Sequence, residues 1–292
     1  MRLITFRLDG AYRLGVARSD NPNEIVELAE PAGMLSLIDA GEEGMALLRD
    51  ALASSRSRTH ALQDLELMAP LPQPRGNVIG IGRNYQAHAE ESARASGKAV
   101  DPPTVFTKAV TTVAGPYDDV VIDGDVTAQV DWEVELGVVI GRAGKNIGRE
   151  RALDHVFGFV ALNDVSARDI QFGWGGQYFK GKSLDGFCPI GPWIVTPDEI
   201  GNPQSLRLLL RVNGVVKQDG NTRDMIYAVD TIIEWVSRGM TLPAGAIIAT
   251  GTPDGVGFAR TPPEFLKPGD LMEAEVEGIG TLRNHVVSAA TP

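Results

Sequence analysis

The run Val130–Ile140 (Val-Asp-Trp-Glu-Val-Glu-Leu-Gly-Val-Val-Ile) limits the possible folds of this chain more than any other segment. Three carboxylates, Asp131, Glu133 and Glu135, alternate at the start of an otherwise apolar strand-like stretch. A strand sends side chains i, i+2 and i+4 to one face, so all three acids would point the same way. They repel each other there, and no cation is built in beside them. A bound divalent ion relieves that repulsion, because hard cations such as Mg²⁺ or Mn²⁺ take oxygen ligands. A solvent-facing strand with its acids on the wet side would relieve it too. A further oxygen ligand is within reach in Asn163–Asp169, where the apolar run Val156–Leu162 ends.

With 292 residues the chain can bury a large core, as one big domain or as one plus a small one. The formal net charge of −11 argues against nucleic acid or an anionic membrane as a partner. A single cysteine, Cys188, rules out an internal disulfide and fits a reducing compartment. The opening residues carry Arg2, Arg7 and Asp9 and no long apolar core, unlike a signal peptide. No uncharged run approaches the roughly 18 apolar residues of a membrane span. A cytoplasmic protein is expected.

The first seventy or so residues read as a small α+β module. Arg2–Leu8 and Tyr12–Ala17 are two strands joined across Asp9-Gly10, a hairpin signal, and Glu24–Leu28 adds a third. Glu43 to about Ser57 has helical spacing. Alternating prolines in Ala69-Pro70-Leu71-Pro72-Gln73-Pro74 make a stiff connector, which places a domain boundary between residues 1–72 and 73–292. Beyond it the chain is mostly short strands, one of them spanning Val130–Ile140, with helices at Tyr85–Ala95, Arg149–Leu153 and Met225–Arg238. Many strands without βα alternation predict an α+β, mainly β architecture.

Two motifs mislead. Gly176–Ser183 matches the phosphate-loop pattern letter for letter, but such a loop must open a helix. The following Leu184–Pro192 carries two glycines and two prolines, which forbid one. Gly80-Ile81-Gly82 begins like a dinucleotide fingerprint but has Tyr85 where the third glycine belongs. Two other features have chemical potential. His88 and Glu91 share a helical face at i, i+3, where the carboxylate can orient the imidazole as a general base. Lys182, on a glycine-rich loop, is either a solvated charge or an oxyanion stabiliser beside an acidic metal cluster.

Taken together, several blocks resemble the fumarylacetoacetate hydrolase family over about Asn77 to Val287. They are Ile81-Gly82-Arg83-Asn84-Tyr85 with His88 and Glu91, DWEVELGVVIG at Asp131–Gly141 and NDVSARDIQ at Asn163–Gln171. KGKSLDGFCPIGPW at Lys180–Trp193, VNGVVKQDGNTRDMI at Val212–Ile226, TGTPDGVG at Thr250–Gly257, and LKPGD followed by GIGTLRN complete the set. The resemblance implies a β-roll catalytic domain carrying Mg²⁺ or Mn²⁺ on Glu133, Glu135 and Asp164, with Asp131 as a nearby acid. It implies a lid with a His88–Glu91 dyad, an active-site Gln171 and Lys182, and a substrate-carboxylate contact at Thr250. Arg83 and Tyr85 fall in the matching entrance block and are candidate substrate contacts. The small N-terminal domain would be the accessory domain of bacterial members, and the assembly a homodimer.

The activity so implied is metal-dependent hydrolysis of a C–C bond in an acylpyruvate-type 1,3-diketo acid, releasing pyruvate. His88 would activate water, and Lys182 and Gln171 would stabilise the oxyanion. Decarboxylation of an oxaloacetate-like 2-oxo acid, or isomerisation or dehydration of a 2-oxo acid, would use the same groups. A catalytically silent metal-binding module is the alternative outside enzymes. The joint presence of His88, Glu91 and Lys182 argues against it.

Overall fold

A computed structural model describes residues 1–31, 33–96 and 104–290. The proposed lid, Gln86–Pro103, therefore lies partly outside the described residues. Its first part is a helix, Gln86–Ser96.

The architecture is mainly β, built on one large sheet and one smaller one. The path of the large sheet runs Thr59–Ala61, Glu24–Leu28, Ala11–Ala17, Arg2–Leu8, Cys188–Val195, Val156–Asn163, Val134–Ile140, Ile247–Ala249, Val78–Gly82 and Thr104–Lys108. Its central strands Val134–Ile140 and Cys188–Val195 are buried at every residue. Apart from Glu135, they therefore read as near-continuous apolar runs rather than alternations. The smaller sheet runs Val215–Asn221, Arg207–Val212, Leu271–Val276, Gly280–Ser288 and Val120–Ile122. Leu271–Val276 alternates buried and half-buried residues, as a strand with one face on the core does. The turn at Asn213-Gly214 closes the hairpin of Arg207–Val212 and Val215–Asn221 with φ of 52° and 76°, the paired positive angles of a two-residue loop.

The N-terminal strands do not form a sheet of their own. Leu3 pairs with Ile194 and Arg2 with Val195, so the large sheet continues across the proline-rich connector. The helix expected over Glu43–Ser57 is observed at Gly41–Ala53, and the one expected over Met225–Arg238 at Val229–Ser237. Among the described residues no helix is long and apolar enough to cross a membrane.

One expectation is corrected. The strand predicted over Val130–Ile140 is two strands, Val130–Asp131 and Val134–Ile140. Asp131 pairs with Ser166, while Val134 pairs with Asn163. Trp132 and Glu133 fall between the two ladders, so the three acids do not share the face of one continuous strand. The break lets Trp132 and each carboxylate take its own environment.

Candidate active site and metal centre

The cleft forms where the ladder between Val134–Ile140 and Val156–Asn163 ends. At that point the Asp164 amide donates to the Glu133 carbonyl (2.8 Å), and the Glu133 amide to the Asn163 side-chain oxygen (3.0 Å). These bonds bring Glu133, Glu135 and Asp164 to one place. One oxygen of each lies within 4.8 Å of the others, and all three residues are buried.

Contrary to the reading from sequence, cations are built in beside the acids, supplied by distant segments. Arg168, 3% exposed, donates Nε to Asp131 (2.8 Å) and Nη2 to Glu133 (2.6 Å). Lys182 Nζ bridges Glu133 (2.8 Å) and Asp164 (2.7 Å). Lys108, fully buried, donates to the other Asp164 oxygen (2.6 Å) and to the Val165 carbonyl (3.1 Å). Asp131 also accepts from the amides of Trp132, Gly257 and Phe258. It is an anchor for Arg168 and a loop, fully satisfied without a metal.

Four carboxylates thus meet three cations, and the shortfall falls on Glu135. No described cation pairs with it, and its bonded partner is the Gly251 amide at 2.8 Å. Burial, then the charges of Asp164 and Glu133, push its carboxyl well above the usual range. Glu133 behaves oppositely. Burial also disfavours its charge, but Lys182 and Arg168 outweigh burial and hold it well below that range. The same carboxylates raise Lys182 against the pull of burial, so it stays an ammonium. A buried, under-compensated triad of carboxylate oxygens is the donor set of a hard divalent ion, and the residues present fit one.

The dyad lies across the cleft on the helix Gln86–Ser96. His88 Nδ1 meets Glu91 Oε1 at 2.9 Å, and His88 is 6% exposed. Both Glu91 oxygens accept the Gly255 amide at 3.1 Å. That leaves His88 Nε2, 3.4 Å from the Ser92 hydroxyl, as the ring nitrogen not engaged by Glu91.

The remaining candidates are placed as follows. Gln171 lines the cleft and accepts from Arg168 Nη1 at 2.9 Å. Arg83 also lines it, half-buried, with a positive φ of 61°. Phe106, Phe172, Tyr178 and Phe258 form the apolar walls. Tyr85 is buried behind the cleft with its hydroxyl lacking a hydrogen-bond partner. Burial pushes that phenol well above its usual range, with Glu135 and Asp224 adding to it. Thr250 is fully buried, and its hydroxyl donates to the Leu136 carbonyl (2.8 Å), while Thr252 is the threonine that lines the cleft. Lys182 sits in a three-residue turn, Lys180–Lys182, with no helix after it, so nothing there could hold a phosphate as a phosphate loop does.

Residue-by-residue reasoning assigned no role to Arg168 or Lys108. Arg168 lies within the stretch Asn163–Gln171, and its position one turn before Gln171 was a usable signal. Lys108 ends an ordinary strand and offers none.

Residues 77–287 match the family model described as fumarylacetoacetate (FAA) hydrolase C-terminal. Oxaloacetate tautomerase YisK of Bacillus subtilis (strain 168) is 43% identical over 263 residues, covering 88% of this chain and 87% of the relative. Among solved structures, a fumarylacetoacetate hydrolase from the psychrophilic Exiguobacterium antarcticum is 40% identical with a TM-score of 0.85, covering 99% of this chain and 100% of that one. Maleylpyruvate hydrolase from Sphingobium sp. SYK-6, solved with manganese(II) and pyruvate, is 31% identical with a TM-score of 0.81 at the same coverage.

Proposed function

Because this chain belongs to the fumarylacetoacetate hydrolase family, we propose that it is a divalent-metal-dependent enzyme that interconverts the keto and enol forms of a small 2-oxo diacid of the oxaloacetate class. The observation that carries this reading is the division of labour in the cleft. His88, oriented by Glu91, is placed to move a proton, while Lys182 is committed to Glu133 and Asp164. Tautomerisation needs one group that takes a proton from C3 and delivers it to the 2-oxo oxygen. Hydrolysis needs in addition donors to meet a distal oxyanion, the role sequence reasoning gave to Lys182 and Gln171, and here Lys182 is bonded to the acids and Gln171 to Arg168.

Glu133, Glu135 and Asp164 would hold Mg²⁺ or Mn²⁺. When bound, that ion supplies a Lewis acid that withdraws electron density from the 2-oxo group and acidifies the neighbouring C–H. Charge balance supports a substrate acid. Four carboxylates, three cations and a divalent ion leave one positive charge, which the substrate's own carboxylate cancels. The likeness to an oxaloacetate tautomerase favours a diacid. His88 Nε2 takes the C3 proton, and Glu91 holds the imidazole while it is charged. The enol oxygen is protonated from the same imidazolium.

Acylpyruvate hydrolysis is the second reading, supported by the likeness to maleylpyruvate hydrolase. A panel of oxaloacetate, acetylpyruvate and fumarylpyruvate, assayed for enol absorbance and for pyruvate with and without EDTA, separates the two. The proposed reaction predicts EDTA-sensitive enol decay on oxaloacetate without matching pyruvate. Pyruvate from an acylpyruvate, with no effect on the oxaloacetate enol, would replace tautomerisation with hydrolysis. Pyruvate released in step with loss of oxaloacetate would replace it with decarboxylation.

A further inference from the structure

We propose that Gln218 is a positioning residue that locks the metal-ligand strand to the loop holding the catalytic base. Gln218 lies on Val215–Asn221 in the smaller sheet, which gives no strand residue to the cleft lining. It is 1% exposed, and a carboxamide so buried must find partners for both ends. Its oxygen accepts from the amide of Val134 (3.0 Å), the residue between Glu133 and Glu135. Its nitrogen donates to the Thr252 hydroxyl and to the Pro253 carbonyl, both at 2.8 Å. The Thr252 hydroxyl donates in turn to the Val134 carbonyl (2.8 Å). Val134, Gln218 and Thr252 thus close a ring of three hydrogen bonds around the backbone that aims both glutamates.

The same contact reaches the dyad. Two residues beyond Pro253, the Gly255 amide holds both oxygens of Glu91. Gly255 has φ of +99°, and a Cβ there would lie 2.1 Å from the Lys217 carbonyl oxygen. The loop is therefore pressed onto the strand that carries Gln218, so closely that only glycine fits. The Trp132 indole (3.2 Å) and Arg260 (3.3 Å) fix the Gly255 carbonyl from the other side. Direct hydrogen bonds and one short stretch of loop run from the metal strand to the partner of the base. Glutamine is the side chain this needs. Glutamate would set lone pairs against the Pro253 carbonyl, and methionine would leave a buried amide and a buried carbonyl unpaired.

The inference rests on His88–Glu91 acting as the base, but one of its readouts does not depend on any reaction. Gln218→Met and the near-isosteric Gln218→Glu are made in the full chain. Mg²⁺ affinity is measured by calorimetry, and kinetics on oxaloacetate are run with and without Glu91→Gln. Either variant is expected to weaken Mg²⁺ binding about 10-fold and lower kcat about 10-fold while KM stays within about 2-fold, the usual size of an outer-shell effect. The kcat loss should shrink when Glu91→Gln has already cut the route to the base. Trp132→Phe should lower kcat and leave Mg²⁺ affinity unchanged. Should Gln218→Met fail to fold, Gln218→Glu gives the same readouts. A lowered Tm with unchanged Mg²⁺ affinity and kcat would overturn the proposal. So would a kcat loss of the same size in the Glu91→Gln background. If the wild type proves inactive on oxaloacetate, the proposed reaction fails, and Mg²⁺ affinity alone still decides whether Gln218 braces the metal strand.

Discussion

The two halves of the cleft are built in opposite ways. The dyad is local, with His88 and Glu91 separated by a single turn of one helix and tied to the rest of the protein through the Gly255 amide. The carboxylate cluster is assembled from far apart. Lys108 reaches Asp164 across 56 positions of sequence, Arg168 reaches Asp131 across 37, and Lys182 reaches Glu133 across 49. Each carboxylate in the cluster except Glu135 has at least one cation within hydrogen-bond distance. A group that must move a proton is paired with a neighbour in sequence and tied in by one loop amide. Groups that must stay ionised together away from water are held by many strands at once, because each unpaired buried charge costs several kcal/mol.

If that contrast is right, the halves should fail separately. The largest effect is expected from Glu135→Gln, which removes a charged ligand and should abolish Mg²⁺ binding and nearly all activity. Unchanged calorimetric affinity would remove Glu135 from the metal site. His88→Ala should lower kcat by about 10²–10⁴-fold, the range of a general base, with Mg²⁺ affinity intact. A parallel loss of affinity would mean the halves are not separable. Arg168→Met should leave Asp131 and Glu133 short of their buried partner and destabilise the fold by about 3–5 kcal/mol, measured by denaturant unfolding. A shift within experimental error would show that the cluster is not held together as described.

How legible each half was in the sequence follows from the same contrast. The i, i+3 spacing of His88 and Glu91 is a local signal, and it sufficed to pair them. The hairpin at Asp9-Gly10 was legible for the same reason, since turn chemistry is local. The alternation of Asp131, Glu133 and Glu135 pointed to the cluster but misdescribed it. A period of two cannot reveal a break between ladders, so Asp131 was placed on one continuous strand with Glu135, whereas it lies on a separate short strand and shares only Arg168 with Glu133. Of the cations, Lys108 was invisible because nothing near it marks it as buried. The pairing of Arg2 and Leu3 with the strand Cys188–Val195 was equally hidden. Strand neighbours so far apart in sequence are chosen by which apolar faces fit, and short-range pattern carries no record of that.

The smallest expected effect sharpens the comparison through pH. Burial, with Asp164 and Glu133, raises the Glu135 carboxyl well above the usual carboxylate range, and a cation can bind only the deprotonated form. Mg²⁺ affinity should therefore fall as pH drops through that raised value, earlier than an ordinary carboxylate would cause. A flat calorimetric affinity across that interval would contradict the assignment of Glu135 as the under-compensated member.

The central claim is that His88 moves a proton at C3 while the carboxylate cluster holds the metal. It is tested most directly by following exchange of the C3 protons of oxaloacetate in D₂O by proton NMR, with Mg²⁺-saturated wild type and His88→Ala side by side and pyruvate quantified in the same tube. The account predicts exchange above the buffer rate with wild type, little pyruvate, and a return to the buffer rate with His88→Ala at undiminished Mg²⁺ affinity. Exchange that is equally fast in His88→Ala, or that in wild type never exceeds the buffer rate, would contradict it.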